Sequence, residues 1–112
     1  MSTERLRRLS ELNAQRRRAV RHEVDYPTMA WRSRGEQFDA RLIDISSTGF
    51  HARCEHRFDR GENLRVLLPV LGVMEAQIAW SLSGCCGGWF VDPVGAVAFA
   101  DMLTEIRLAE GR

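Results

Sequence analysis

The middle of the chain shows the alternation of apolar and polar residues that is typical of half-buried β-strands. Between residues 24 and 92, short alternating stretches are separated by turns rich in glycine, proline and charge. In the second stretch, Phe38 and Leu42 fall on one face, whereas Asp39 and Arg41 fall on the other. Six such stretches follow one another at regular spacing. The pattern therefore predicts six short strands in an antiparallel barrel or sandwich.

The N-terminal segment has a different period. Leu6, Leu9 and Leu12 recur every three residues, which predicts a helix over residues 3–18. Its apolar stripe is narrow, so we expect this helix either to pack weakly or to be partly disordered when the protein is free of ligand. The pattern stops around residues 18–23, which we interpret as a linker leading into the first strand.

The C-terminal segment predicts a second helix, over residues 94–108. Phe99, Met102, Leu103 and Ile106 form one apolar stripe that would cover an opening or an edge of the sheet. The expected fold is mainly β, a small six-stranded antiparallel β-barrel with an N-terminal arm or helix and a C-terminal helix. We expect one domain made of residues 1–22 (helix and Arg-rich linker), 23–93 (barrel) and 94–112 (helix).

Composition narrows the setting of the protein. The 112 residues suffice for one domain, and no apolar run is long enough to cross a membrane. The N-terminus is rich in Arg and has no apolar signal region, so we expect a cytoplasmic protein. The three cysteines, of which Cys85 and Cys86 are adjacent, are expected to be reduced thiols.

Charge is distributed unevenly. All 16 basic residues are Arg, and residues 1–22 contain seven of them against two acidic residues. This excess of positive charge indicates an anionic partner near the N-terminus. Arg offers a planar fork of donors that suits phosphate groups or the edge of a guanine base.

Two short motifs are candidates for binding. Arg17 and Arg21 form an RxxxR pair, but Arg53 and Arg57 form a second one, so this motif alone carries little information. Residues 44–49 read DISSTG, a DxSxxG pattern. By itself, such a pattern is typical of a turn stabilised by a serine or aspartate side chain.

The order and spacing of the motifs are more informative. An Arg pair lies just before the first strand, and the DxSxxG lies at the end of the second. In this arrangement the chain resembles the PilZ domain family over about residues 15–103. Arg16 supplies the doubled Arg often seen there, and residues 87–93 resemble the glycine-then-phenylalanine strand that closes the family's barrel. The resemblance implies a bacterial receptor for the second messenger cyclic di-GMP.

The chemistry of the ligand agrees with these residues. Cyclic di-GMP carries two phosphodiester anions and two guanines, which Arg17 and Arg21 could grip and stack against. Asp44 could accept hydrogen bonds from a guanine edge, Ser46 offers a hydroxyl, and Gly49 allows a tight turn and leaves room for the ligand. The resemblance thus implies a ligand-binding set of Arg16, Arg17, Arg21, Asp44, Ser46 and Gly49. Further candidates are Arg18, His51 and Trp89.

No catalytic motif accompanies this site. GxSxG, P-loop and dinucleotide-binding patterns are absent from the sequence, and the histidines lack partners at metal-ligand spacing. We expect no enzyme activity, no metal and no cofactor other than the ligand.

The leading hypothesis is a receptor or adaptor, a monomer or weak dimer, whose N-terminal arm changes conformation on binding cyclic di-GMP and signals to a protein partner. One alternative is a PilZ-like protein-interaction module that binds no nucleotide. Another is a small nucleic-acid-binding barrel with an Arg-rich arm, although the near-neutral net charge disfavours nucleic acid as a partner.

Overall fold

The chain folds as a six-stranded barrel flanked by two helices. The computed structural model describes residues 3–111, except for the side chains of Arg5, Leu6, Arg8 and Leu9. The elements are α1 (Thr3–Arg18), β1 (His22–Arg32), β2 (Gln37–Ile45), β3 (Gly49–Arg53), β4 (Asn63–Leu68), β5 (Gly72–Leu82), β6 (Cys85–Phe90) and α2 (Ala96–Glu110).

The barrel is closed and all of its strand pairs are antiparallel. The strand order is β1-β2-β3-β6-β5-β4, and β1 also pairs with β4. Closure removes the exposed edges that an open sheet of this size would present to other chains. The predicted fold class, a mainly β protein with a six-stranded barrel and a helix at each end, is confirmed.

The alternating pattern correctly predicts which residues form the core. Phe38 and Leu42 are buried, whereas Asp39 and Arg41 on the same strand are exposed. Side chains from every strand meet inside the barrel and form one continuous core. The largest fully buried side chains are Phe90, Leu42, Ile45, Leu68, Ile78, Met102 and Ile106.

Bulges explain where simple alternation fails. In β2 the register shifts between Leu42 and Asp44, because Ile43 has no partner of its own on β3. Leu42 and Ile45 are therefore both fully buried although they are three residues apart, and Asp44 turns to the outer face. A bulge of this kind re-aims the side chains that follow it. The predicted turn over residues 44–49 is accordingly too long, since Asp44 and Ile45 still belong to β2.

The first strand also begins earlier than the sequence predicted. The sequence predicts a linker over residues 18–23, but β1 starts at His22. Glu23 pairs with Asp44, and a further register shift lies between Glu23 and Tyr26. This shift hides the strand period at the point where β1 begins.

Helix α2 begins and ends two residues later than predicted. Gly95 is its N-cap, and the helix runs on to Glu110. Its C-terminal turn is held because the Glu110 carboxylate accepts a hydrogen bond of 2.6 Å from the backbone N–H of Asp25. Arg107 Nη1 donates to the carbonyl oxygen of Glu23 at 2.7 Å. These side chains therefore satisfy backbone groups at the irregular start of β1.

The apolar stripe of α2 packs on the barrel as expected. Met102 and Ile106 are fully buried, and Phe99 and Leu103 pack against the same core. The ring of His22, at the start of β1, lies 5.5 Å from the ring of Phe99. The helix thus covers the end of the barrel at which the N-terminal arm enters.

Helix α1 has the bounds that the sequence predicted, residues 3–18. Of the three leucines behind that prediction, Leu6 and Leu9 have side chains outside the described residues, while Leu12 is partly buried. Most other described side chains of α1 are exposed. No helix in the described part of the chain is long and apolar enough to cross a membrane.

The cysteines are free thiols. Burial inside the barrel, next to Cys54, raises the pKa of Cys86 to about 12, so this thiol stays protonated at neutral pH. A neutral buried thiol is a small packing group and a poor nucleophile.

Candidate functional site

The DxSxxG residues cover the end of β2, the connection that follows it and the first residue of β3. The Ser46 N–H donates to the carbonyl oxygen of Gly49 at 2.9 Å, which closes the turn. The Ser46 hydroxyl accepts hydrogen bonds from the N–H groups of Thr48 and Gly49, both at 3.2 Å. Ser46 therefore organises its own turn, in the manner of other serine-stabilised turns.

This turn is fixed to the end of β6. The N–H of Phe90 donates to the carbonyl oxygen of Thr48 at 2.9 Å, and the N–H of Val94 donates to that of Ser47 at 2.8 Å. Thr48 itself is buried. Backbone hydrogen bonds therefore hold the motif against the strand that closes the barrel.

Gly49 allows the backbones of two strands, β3 and β6, to approach each other closely. It pairs with Trp89 on β6, and a Cβ atom at this position would collide with the carbonyl oxygen of Gly88. The same Cβ would lie 2.9 Å from Cε3 of Trp89. Positive φ is found at four other glycines but not at Gly49. The predicted need for glycine thus comes from contact with β6 rather than from a left-handed turn.

Asp44 presents its carboxylate on the outer face of β2, with 18% of the side chain exposed. His51, its neighbour on β3, approaches Asp44 Oδ2 with Nδ1 at 3.2 Å. Because a carboxylate only accepts hydrogen bonds, Nδ1 of His51 is the donor. Asp44 keeps further acceptor positions for a ligand.

Trp80 forms a wall of the site that the sequence did not reveal. A bulge between Ile78 and Trp80 leaves Ile78 in the core and turns Trp80 outward. Its indole lies over the backbone of Gly87, where a Cβ would collide with the indole nitrogen. The ring reaches His51, with the two centroids 5.1 Å apart and the rings edge to face.

The Arg-rich arm meets the barrel beside these residues. Arg21 contributes to the same cavity as Asp44. The guanidinium of Arg16 lies 4.9 Å from the centre of the Trp89 ring, which is a cation–π contact. Burial lowers the pKa of the Arg16 guanidinium below its usual value. Within residues 3–111, no hydrogen-bond partner faces the enclosed Nε of Arg16.

Several of the predicted residues thus come together around one small cavity of about 30 Å³. Its lining comprises Arg21, Asp44, Ser46, Gly49, Phe50, Ala79, Trp80, Gly87, Gly88 and Trp89. Arg16 and His51 do not line the cavity but contact residues that do: Arg16 contacts Trp89, and His51 contacts Asp44. Arg17 and Arg18 lie exposed at the end of α1 and do not line the cavity.

A larger groove, of about 840 Å³, lies on another part of the barrel. It runs past Pro27, Phe38, Arg53 and His56 and includes no residue of the Arg17/Arg21 pair or of the DxSxxG motif. Its walls carry both acidic and basic side chains, whereas the small cavity combines one carboxylate with the Arg-rich arm. Size alone therefore does not identify the site. In the described part of the chain, no group of three or more His, Cys, Asp or Glu side chains could hold a metal ion.

Comparison with known families and structures agrees with this geometry. The family profile described as PilZ domain matches residues 15–96, which include both motifs. No match was found among curated protein sequences.

Two solved structures share the fold. One is the PilZ domain of CeSA from a cellulose-synthesizing bacterium, with a TM-score of 0.59 and 11% identity, over 81% of this chain and 98% of that one. The other is the PilZ domain of YcgR from Escherichia coli with c-di-GMP, with a TM-score of 0.57 and 20% identity, over 86% of this chain and 92% of that one.

The contact between Gly49 and β6 can be tested by adding one methyl group. We expect Gly49→Ala to lower the free energy of unfolding by about 2 kcal/mol or more, because the new Cβ meets backbone that cannot move aside. Gly95→Ala is the matched control, since nothing lies within 4 Å of a Cβ there. Urea denaturation measures both. Equal stability of the two variants would contradict the packing described.

Proposed function

Because the chain belongs to the PilZ domain family, we propose that it is a receptor for cyclic di-GMP. The observation that carries the proposal is the cavity shared by Arg21 of the arm and by Asp44, Ser46 and Gly49 of the DxSxxG motif. Two motifs that are more than twenty residues apart in the sequence thus meet at one place on the barrel.

Each side of the cavity suits one part of the ligand. Arg21 offers donors to a phosphodiester, and charge-assisted hydrogen bonds of this kind are among the stronger ones in proteins. Asp44 would accept the two hydrogen bonds that the N1–H and amino groups of guanine can donate. Its orientation on the outer face of β2 supports this role, since the carboxylate points away from the core.

The ligand is too large to enter the cavity. Pockets that enclose a small molecule measure roughly 300–1,000 Å³, so a cyclic dinucleotide would lie across the mouth of a cavity of about 30 Å³. There it would meet Trp89 and the guanidinium of Arg16 above it. Nε of Arg16 is enclosed, so the side chain would have to shift before a ligand oxygen could accept its hydrogen bond; the shift would relieve the cost of a buried donor without a partner.

We propose that binding changes the position of the arm. Arg17 and Arg18 are exposed at the end of α1, and the described side chains of α1 are mostly exposed. Ligand contacts to these guanidinium groups would favour a closed arm over an open one, and only such a preference can shift the equilibrium. The closed arm would offer a protein partner a new surface. In this proposal the chain acts in the bacterial cytoplasm as a binding protein without catalysis.

Calorimetric titration with cyclic di-GMP tests the proposed function. We expect saturable binding by the wild type. Arg21→Ala and Asp44→Ala should each weaken it by roughly 10- to 150-fold, which corresponds to the loss of a hydrogen bond to a charged group. GTP should not compete, because it lacks the cyclic diester backbone.

Arg53→Ala is the matched control. Arg53 begins the second RxxxR pair of the sequence, but it lies on the larger groove and not at the cavity. Its replacement should leave the affinity unchanged. Absence of binding by the wild type would contradict the receptor function and favour a protein-interaction module, and equal losses in Arg53→Ala and Arg21→Ala would contradict the site.

Hydrogen exchange measures the movement of the arm. Cyclic di-GMP should slow the exchange of backbone amides in residues 5–22, because ordering of the arm protects them. Helix α2, whose Met102 and Ile106 are already buried against the barrel, provides an internal reference that should not change. Unchanged exchange in residues 5–22 at saturating ligand would rule out the proposed closure of the arm.

A further inference from the structure

Asp44 belongs to a row of residues that crosses four strands on the outside of the barrel. The register pairs Asp44 of β2 with His51 of β3, His51 with Gly87 of β6, and Gly87 with Trp80 of β5. Bulges immediately precede the two ends of the row, and each turns the end residue outward. Without the bulges, Asp44 and Trp80 would continue the inward faces of Leu42 and Ile78.

A chain of side-chain contacts links Trp80, at one end of this row, to Asp44 at the other. The absence of a side chain at Gly87 lets the Trp80 indole lie across β6. The indole then meets the imidazole of His51 edge to face, at 5.1 Å between centroids. His51 Nδ1 in turn donates to Asp44 Oδ2 at 3.2 Å. His51 itself does not line the cavity, whereas Asp44 does.

We infer that His51 is a positioning residue, which holds the Asp44 carboxylate in the orientation that reads a guanine base. The inference rests on the proposed function and goes beyond it, because it assigns base specificity to a residue outside the DxSxxG motif. An aspartate side chain with a free χ2 would rotate its two oxygens out of line with the two guanine donors. A donor fixed on Oδ2 stops this rotation, and Trp80 limits the movement of the imidazole.

The imidazole of His51 contacts two neighbouring side chains, Asp44 and Trp80. His51 has 28% of its side chain exposed, so it is held between Asp44 and Trp80 rather than projecting into solvent. Asp44 is the acidic group in contact with it.

Two substitutions separate positioning from packing. His51→Val removes the donor and keeps a side chain that suits a strand. His51→Asn restores an N–H donor at about the same distance from the backbone as Nδ1. The matched control is His56→Val, since His56 lies on the larger groove, away from Asp44. Thermal unfolding of each variant shows whether the barrel remains folded.

The measurement is the affinity for cyclic di-GMP and for its inosine analogue, which lacks the amino group on each base. The ratio of the two affinities reports how well Asp44 reads the guanine edge. We expect His51→Val to weaken cyclic di-GMP binding about tenfold and to lower the ratio by a similar factor. We expect His51→Asn to recover most of both, and His56→Val to match the wild type.

The possible results are distinguishable. No binding by the wild type would remove the proposed function itself. If the wild type binds, an unchanged affinity in His51→Val would overturn the positioning role. An equal loss for the two ligands would also overturn it, because a general packing defect lowers both affinities and leaves their ratio constant. Failure of His51→Asn to recover the ratio would show that the donor is not what matters.

Discussion

The backbone at the start of β3 lies so close to the backbone of β6 that no side chain fits at Gly49, where the two strands meet. A Cβ atom on Gly49 would collide with the carbonyl oxygen of Gly88. A Cβ atom on Gly88 would lie only 2.8 Å from the ring of Phe50. Backbone hydrogen bonds from Phe90 and Val94 fix the turn that joins β2 and β3. This contact closes the barrel and also places Asp44 and Ser46 beside Trp89, so the core and the candidate site depend on the same approach of two backbones.

The bulges in β2 and β5 also shape the candidate site. A strand without irregularities sends every second side chain inward, and Asp44 and Trp80 would then lie in the core, where an unpaired carboxylate is costly. One extra residue in β2 and one in β5 turn both side chains to the surface. His51 lies between them on the outer face and contacts both Asp44 and Trp80. Gly87 leaves room for the Trp80 indole to reach His51. Irregularity in the strands therefore builds the site, while the regular stretches build the core.

The regular parts of the fold could be predicted from the sequence. Alternation identified the six strands and the inward positions of Phe38 and Leu42, and the helical period identified the stripe around Met102 and Ile106. The limits of the strands were less predictable, because a bulge removes the period at the point where it occurs. The later start of α2 at Ala96 depends on Gly95 as its N-cap and on the docking of Val94 to the turn, and the second of these is a tertiary effect.

The motif residues of the site were also predictable, but their surroundings were not. Arg21 and Asp44 were named from spacing and from the resemblance to a family, and they lie at one cavity. Trp80 was missed because alternation from Ile78 would have placed it in the core. The role of Gly49 was expected to be a turn and is instead a close packing contact. Contacts between strands that are distant in sequence decide both points, and a single sequence does not contain them.

The most direct test of the central claim is to map the binding surface by NMR, following backbone amide and indole N–H signals as cyclic di-GMP is added. The account predicts large shifts at Arg21, Asp44, Gly49 and the indoles of Trp80 and Trp89, with little change around Phe38 and Arg53 on the larger groove. Shifts concentrated at that groove would contradict the assigned site, and no shifts at saturating ligand would contradict the receptor function.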